Sequence, residues 1–248
     1  MKITEAANEI QSILQLKDPP VAVKLFRPSE NIPSDIKLIE RKSRYCQFLM
    51  LARHGETLLL TAERLACPAA YAAFGFSLLP EKISSGQMLH VLGLYQTKEA
   101  AAYTMATMPR LKANTVSAIA AGPLEGFPLE PDIVIVEGLP EQIMWLCLAR
   151  TFETGGRLNF SSSIFQCCCV DVTVVPYTTK EVNISPGCYG TREATDLPPE
   201  HMFIGIPMSF LGQIVKGLRR LSKKAMIKAR GKSVYHAHHQ GKVKRKKG

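Results

Sequence analysis

An α/β fold of two similar, intimately packed halves is what this chain predicts, and three observations predict it. Strand-like apolar runs, such as Val21-Ala22-Val23 and Ile133-Val134-Ile135, alternate with segments whose apolar residues recur at helical spacing. Two cysteine pairs, Cys46 with Cys67 and Cys167 with Cys188, are each separated by 21 positions. Around them the same order recurs: strand, cysteine, hairpin, cysteine, strand, helix. The expected unit is therefore one domain over residues 1–221. Its repeat halves span about 17–112 and 127–221, arose by internal duplication and are related by a pseudo-twofold axis.

Taken in order, Ile10, Ile13 and Leu14 mark an opening helix with Thr4 as its N-cap, ended by Asp18-Pro19-Pro20. Residues 21–26 read as a strand and 27–37 as a loop. Short strands are expected at 46–51 and 58–61, joined by a His54-Gly55 turn, with a short helix after Cys67-Pro68. Residues 89–95 read as a strand, and Thr97 caps an alanine-rich helix over 98–108. A strand follows at 115–121. The β-branched run at 132–136 suits a strand buried on both faces. Pro140 suits a first helical position and Gly155-Gly156 a helix stop. Strands at 170–175 and 201–206 and a helix at 209–221 complete the halves. His90-Val91-Leu92-Gly93-Leu94 is matched to His201-Met202-Phe203-Ile204-Gly205-Ile206, allowing one inserted residue.

With 46% hydrophobic and 21% charged residues, the 248-residue chain has the composition of a soluble globular protein. No apolar run approaches the roughly 18 residues of a membrane span, and the N-terminus has no signal-peptide core, so the expected location is cytoplasmic. The charge is uneven. Residues 216–248 hold 13 of the 31 Lys and Arg and no acid, which leaves 18 basic against 21 acidic side chains elsewhere. Residues 222–248 are read as a basic, disordered tail able to attract nucleic acid non-specifically.

Seven cysteines, an odd number, in a chain this size point to free thiols, either packed in the core or binding a soft metal. Four thiolates brought together from two halves suit zinc or an iron–sulfur cluster. The chain has no C-x2-C knuckle, and Cys188 sits in Pro186-Gly187-Cys188-Tyr189-Gly190, a context that lets backbone N–H groups approach sulfur. Both features favour the cluster. Equal spacing nominates Cys167 from the Cys167-Cys168-Cys169 triplet, with Cys169 as the second candidate. Arg192 is placed to neutralise a cluster or bind an anion, or else to form a salt bridge. Cys147, His90 and His201 are read as structural, and His54 as an exposed hairpin tip. No phosphate loop, Ser–His–Asp signature or catalytic carboxylate pair stands out, and whether the chain is an enzyme stays open.

The pattern as a whole resembles the domain-of-unknown-function family 169, found largely in archaea and anaerobic bacteria. The resemblance rests on Pro19-Pro20-Val21-Ala22-Val23-Lys24, Cys46 followed by Ala52-Arg53, Cys67, and Pro131-Asp132-Ile133-Val134-Ile135. It continues through Cys169-x-Asp171 before Pro176-Tyr177, Gly187-Cys188-x-Gly190-x-Arg192 and Gly205-Ile206-Pro207, and covers about residues 10–221. It implies Cys169, not Cys167, as the third member of the cysteine set. Glycines common in the family after the second cysteine are replaced here by Pro68-Ala69-Ala70.

The reading that follows is an iron–sulfur protein of the 4Fe–4S type, with a redox, sulfur-handling or cofactor-maturation role in anaerobic metabolism. Its ligands are Cys46, Cys67, Cys169 and Cys188, with Arg192 beside them and zinc as the alternative metal. Two other readings are a metal-free small-anion-binding module with structural cysteines and a protein that associates with nucleic acid through its tail. A redox partner protein is expected, and exposed strand edges permit a homodimer.

Overall fold

The computed structural model describes residues 2–245, with side chains to 239. Seven strands, β1 (Val21–Phe26), β2 (Lys37–Leu38), β3 (Leu58–Thr61), β4 (Ala118–Pro123), β5 (Ile133–Gly138), β6 (Asn183–Ser185) and β7 (Met202–Pro207), form one sheet. Its order is β2-β3-β4-β1-β5-β7-β6, and every pairing is antiparallel except β2 with β3. β1 and β5 pair at the centre, Val21 opposite Ile135 and Val23 opposite Ile133. Outward from that pair, each flank carries one long antiparallel strand, β4 or β7, and then a shorter one, β3 or β6.

The sheet is covered on both faces, which is why its strands read as continuous apolar runs. Side-chain alternation sends Ala22, Val134 and Val136 to one face and Val23, Ile133 and Ile135 to the other. The first face packs against α1 (Ile3–Leu14), α7 (Pro140–Arg150) and α10 (Met208–Ser222). On α10, Leu211, Ile214, Val215, Leu218 and Leu221 form one buried stripe at helical spacing. The second face packs against α2 (Tyr45–Arg53), α3 (Pro68–Ala73), a π-helix (Cys167–Val174), α8 (Val175–Thr179) and α9 (Tyr189–Ala194). A small lobe of α4 (Glu81–Ser84), α5 (Gln87–Val91) and α6 (Lys98–Ala106) has its own apolar centre of Ile83, Leu89, Ala101 and Met105. Thr97 does cap α6, its hydroxyl accepting the Ala100 N–H at 3.1 Å.

Three expected strands are helical. Residues 46–51 lie in α2, because Tyr45, Phe48, Leu49 and Ala52 form a helical stripe against the sheet. Residues 89–95 contain α5 and a turn. Residues 170–175 fall in the π-helix and the start of α8. Short, wholly buried apolar runs do not distinguish helix from strand by periodicity. The match of 90–94 to 201–206 therefore fails. β4, which lies between the two expected halves, takes the place on its flank that β7 takes on the other. The basic C-terminal stretch is helical in α11 (Ala225–Gly231) and α12 (Ser233–Arg245), with Met226 buried against the α10 side.

Gly205 sets how closely the π-helix meets the sheet. A Cβ there would lie 2.2 Å from the Val172 carbonyl oxygen, so only glycine allows the two backbones to approach this closely. Gly205→Val is expected to destabilise the protein by about 3 kcal/mol, as overpacking against backbone does. Urea unfolding midpoints of the two proteins measure it.

Candidate functional site: a thiol-lined cavity

Six of the seven cysteines come together. Cys46 from the first turn of α2, Cys67 at the N-cap of α3, Cys167, Cys168 and Cys169 on the π-helix, and Cys188 at the N-cap of α9 all line one cavity of about 370 Å³. Ile83, Met88 and Leu92 from the small lobe, with Phe165 and Ala69, supply its apolar walls. Arg44 and Glu193 stand at its edge, joined by an ion pair at 2.7 Å. Cys147 lies apart on α7, beside the other core, as its structural reading expected.

Local hydrogen bonds fix the thiols. The Cys188 sulfur accepts the Thr191 N–H at 3.4 Å, capping α9. The Thr191 hydroxyl lies 3.2 Å from that sulfur and 3.6 Å from the Cys168 sulfur, so one side chain ties the π-helix to α9. Thr173 donates to the Cys168 carbonyl at 2.7 Å and meets the Tyr45 hydroxyl at 3.1 Å, which ties the π-helix to α2. A backbone N–H does reach the Cys188 sulfur as its sequence context suggested, and it comes from Thr191.

Four of the cavity thiols are held toward the neutral form. Burial, then the neighbouring Cys188 and Cys67, pushes the Cys46 thiol up to about 12. Cys168 is held well above its ordinary value by its hydrogen bond with Cys167 and by burial. Burial, with Cys67 and Cys188 close by, does the same to Cys169. Cys188 is raised mainly by burial.

The iron–sulfur expectation is corrected here. Among the described residues, no group of three or more His, Cys, Asp or Glu is arranged to hold a metal ion. The six thiols line the walls of one cavity. Three of them are successive residues of one helical turn, which project in different directions, and Cys188 is engaged in a cap. The residues present do not fit an iron–sulfur cluster. The strand argument that separated Cys168 from Cys167 and Cys169 also lapses, since the segment is a π-helix and all three line the cavity.

Arg192 does not line the cavity. Its guanidinium donates to the carbonyls of Pro198, Pro186 and His201 at 3.2, 2.5 and 3.0 Å, closing the loop between α9 and β7. His201 Nδ1 meets Glu137 at 2.8 Å, and His90 Nδ1 meets the Tyr95 carbonyl at 3.1 Å. His54 is exposed as expected, but at the end of α2 and not on a hairpin, paired with Asp196 at 2.9 Å. Thr191 and Gln166 carry no motif that would have singled them out, although Thr191 lies inside the Gly187–Arg192 pattern.

Two buried acids support the site from behind. Asp171 Oδ2 accepts hydrogen bonds from Ser162 at 2.6 Å and Ser185 at 2.8 Å, while Asn183 donates to the Asp171 carbonyl at 2.7 Å. Burial nevertheless raises the Asp171 carboxyl to about 6 against the two serine donors. Glu137, at the end of β5, receives Arg53 of α2 through both oxygens at 2.8 and 2.7 Å, and both side chains are buried.

The comparisons with known proteins come down to one family. Residues 9–217 match DUF169, described as uncharacterised ArCR. The chain belongs to this family. An uncharacterised protein of Methanocaldococcus jannaschii is 29% identical over 219 residues, covering 88% of this chain and 94% of that one. No solved structure matches. Among the described residues no helix is long and apolar enough to cross a membrane.

Two stability tests follow from the buried acids. Asp171 binds its proton more tightly folded than unfolded, so its contribution is complete below its ordinary value of 3.8 and is lost as pH rises through about 6. A shift of this size corresponds to about 3 kcal/mol. Asp171→Asn should remove that fall between pH 4 and 7, as read from urea midpoints across the range. Glu137→Gln removes the buried one of Arg53's two close carboxylate partners, leaving Asp196 at 2.6 Å, and should cost about 2 kcal/mol at pH 7, measured in the same way.

Proposed function

We propose that this DUF169 protein binds a small, mainly uncharged apolar molecule in the thiol-lined cavity. The observation that carries this reading is the cavity's lining: aliphatic and aromatic side chains together with six thiols, with Thr191 and Gln166 among its neutral polar groups. An enclosed apolar space with a few polar groups at fixed positions is the usual form of a small-molecule site. Sulfur suits such a lining because it is polarizable and makes favourable contacts with apolar and aromatic groups. Arg44, the Lys or Arg among the described lining residues, is engaged by Glu193, so an anionic ligand would have to compete for it.

The finer statement of the fold belongs with this reading. We infer that the two flanks of the sheet descend from a duplicated unit. What supports it is the matching strand order on either side of β1 and β5, together with a cysteine N-cap on the helix following β3 and on the helix following β6. On this reading the cavity lies where the two units meet.

Titration with N-phenyl-1-naphthylamine, an uncharged dye that brightens in apolar surroundings, tests the binding proposal. Saturable one-to-one binding is expected, weakened at least tenfold in Ala69→Phe, which fills the cavity from α3. Failure to saturate, or equal binding by a folded Ala69→Phe protein, would overturn the proposal.

A further inference from the structure

The cavity thiols differ in access, and the difference has chemical consequences. Cys46, Cys167, Cys168, Cys169 and Cys188 are all buried, whereas Cys67 is only partly buried. Cys67 sits at the N-cap of α3, which packs directly on the π-helix that carries Cys169. Both residues line the same cavity, and after burial Cys67 is the largest influence that raises the Cys169 thiol. Arg44, the cation at the cavity edge, lies near Cys67 and Cys46. All seven cysteines are free, so the cavity holds reducing equivalents and one thiol through which a reagent can reach them.

We propose that Cys67 and Cys169 form a dithiol pair that reduces small disulfides, with Cys67 as the attacking thiol and Cys169 as the resolving one. Cys67 gives its proton to solvent at the cavity mouth, and its thiolate attacks one sulfur of the disulfide. A Cys67–substrate S–S bond forms as the substrate's own S–S bond breaks, and the departing thiolate takes up a proton. Cys169 then attacks the Cys67 sulfur and passes its proton to the second leaving thiolate. A Cys67–Cys169 bond replaces the mixed disulfide. Two cysteines lose two electrons in total, and one disulfide becomes two thiols.

Burial suits this division of labour. A buried thiol held protonated is inert toward bulk reagents, but once a mixed disulfide is fixed beside it, the second step is intramolecular. The entry thiol must be reachable and the resolving thiol must be close, and Cys67 and Cys169 meet these two requirements. The other cavity thiols do not serve as the entry thiol, because all of them are buried. This inference does not depend on the apolar-ligand reading; it requires only that a small disulfide reach Cys67.

The test uses the full chain, reduced and then exposed to bis(2-hydroxyethyl) disulfide, a small uncharged probe, with intact-mass and peptide-mass analysis over time. The expected course is one 2-hydroxyethylthio group on Cys67, followed by its loss and a Cys67–Cys169 cross-link two hydrogen masses lighter than the starting protein. Cys67→Ser should slow the reaction at least tenfold, and Cys169→Ser should stop it at the Cys67 adduct. First modification at a different cysteine, a persistent Cys67 adduct in the wild type, or a folded Cys67→Ser protein that oxidises at the wild-type rate would overturn the proposal. Should Cys169→Ser fail to fold, mapping of the wild-type cross-link decides alone. Dye binding by reduced Cys67→Ser, measured alongside, separates a failure of this inference from a failure of the ligand-binding one.

Discussion

The burial of residues Cys167–Val174 is the constraint on which the rest of this structure depends. All eight residues are buried, so every polar group they carry must find a partner inside the protein. The surrounding elements supply those partners. Ser162, Ser185 and Asn183 satisfy Asp171, while Thr191 meets the Cys168 sulfur and Tyr45 meets Thr173. Because Gly205 has no side chain, the segment lies directly on β7. The π-helix puts Cys167, Cys168 and Cys169 into the lining of one cavity. Local π-helical geometry is uncommon and is frequently found at functional sites, which agrees with its position here.

Electrostatics then decide what the gathered thiols can do. In a cluster of buried thiols each ionisation makes the next harder, and the cation at the edge, Arg44, is held by Glu193. The neutral thiol is the favoured state of Cys46, Cys168, Cys169 and Cys188. These sulfurs share the cavity lining with Phe165 and the aliphatic side chains. The same cysteines that suggested a metal centre therefore build an apolar pocket, because their spacing in the chain governs their meeting but not their convergence.

Much of the frame was legible in the sequence. The Ile133-Val134-Ile135 run gave a central strand buried on both faces, and Pro140 and Thr97 marked helix starts, but α1 ends at Leu14 on a left-handed Gln15, ahead of the prolines expected to stop it, and its N-cap is Lys2, with Thr4 inside the helix. The gathering of cysteines from both halves was legible too, through their ordered spacing. What was not legible traces to two physical causes. Fully buried runs such as 46–51 and 170–175 lack the polar positions that would reveal a period, so helix and strand looked alike. Convergence of side chains depends on rotation about each helix axis, which tertiary packing sets; Thr191, Gln166 and Arg44 join the site for that reason and carry no local signal. The mistaken match of 90–94 with 201–206 was the first kind of error.

The two partly equivalent cysteine caps sharpen what the sequence spacing meant. Cys67 and Cys188 each precede a short helix that follows a short strand, β3 or β6, on opposite flanks of the sheet. Both helices lean over the same cavity, yet the caps differ. At Cys188 the sulfur accepts a backbone N–H and a hydroxyl lies beside it, whereas the Cys67 side chain makes no capping bond and stays partly accessible. Two positions that look alike in the chain thus diverge in chemistry: one sulfur is committed to holding the fold, and the other is left free at the mouth of the cavity.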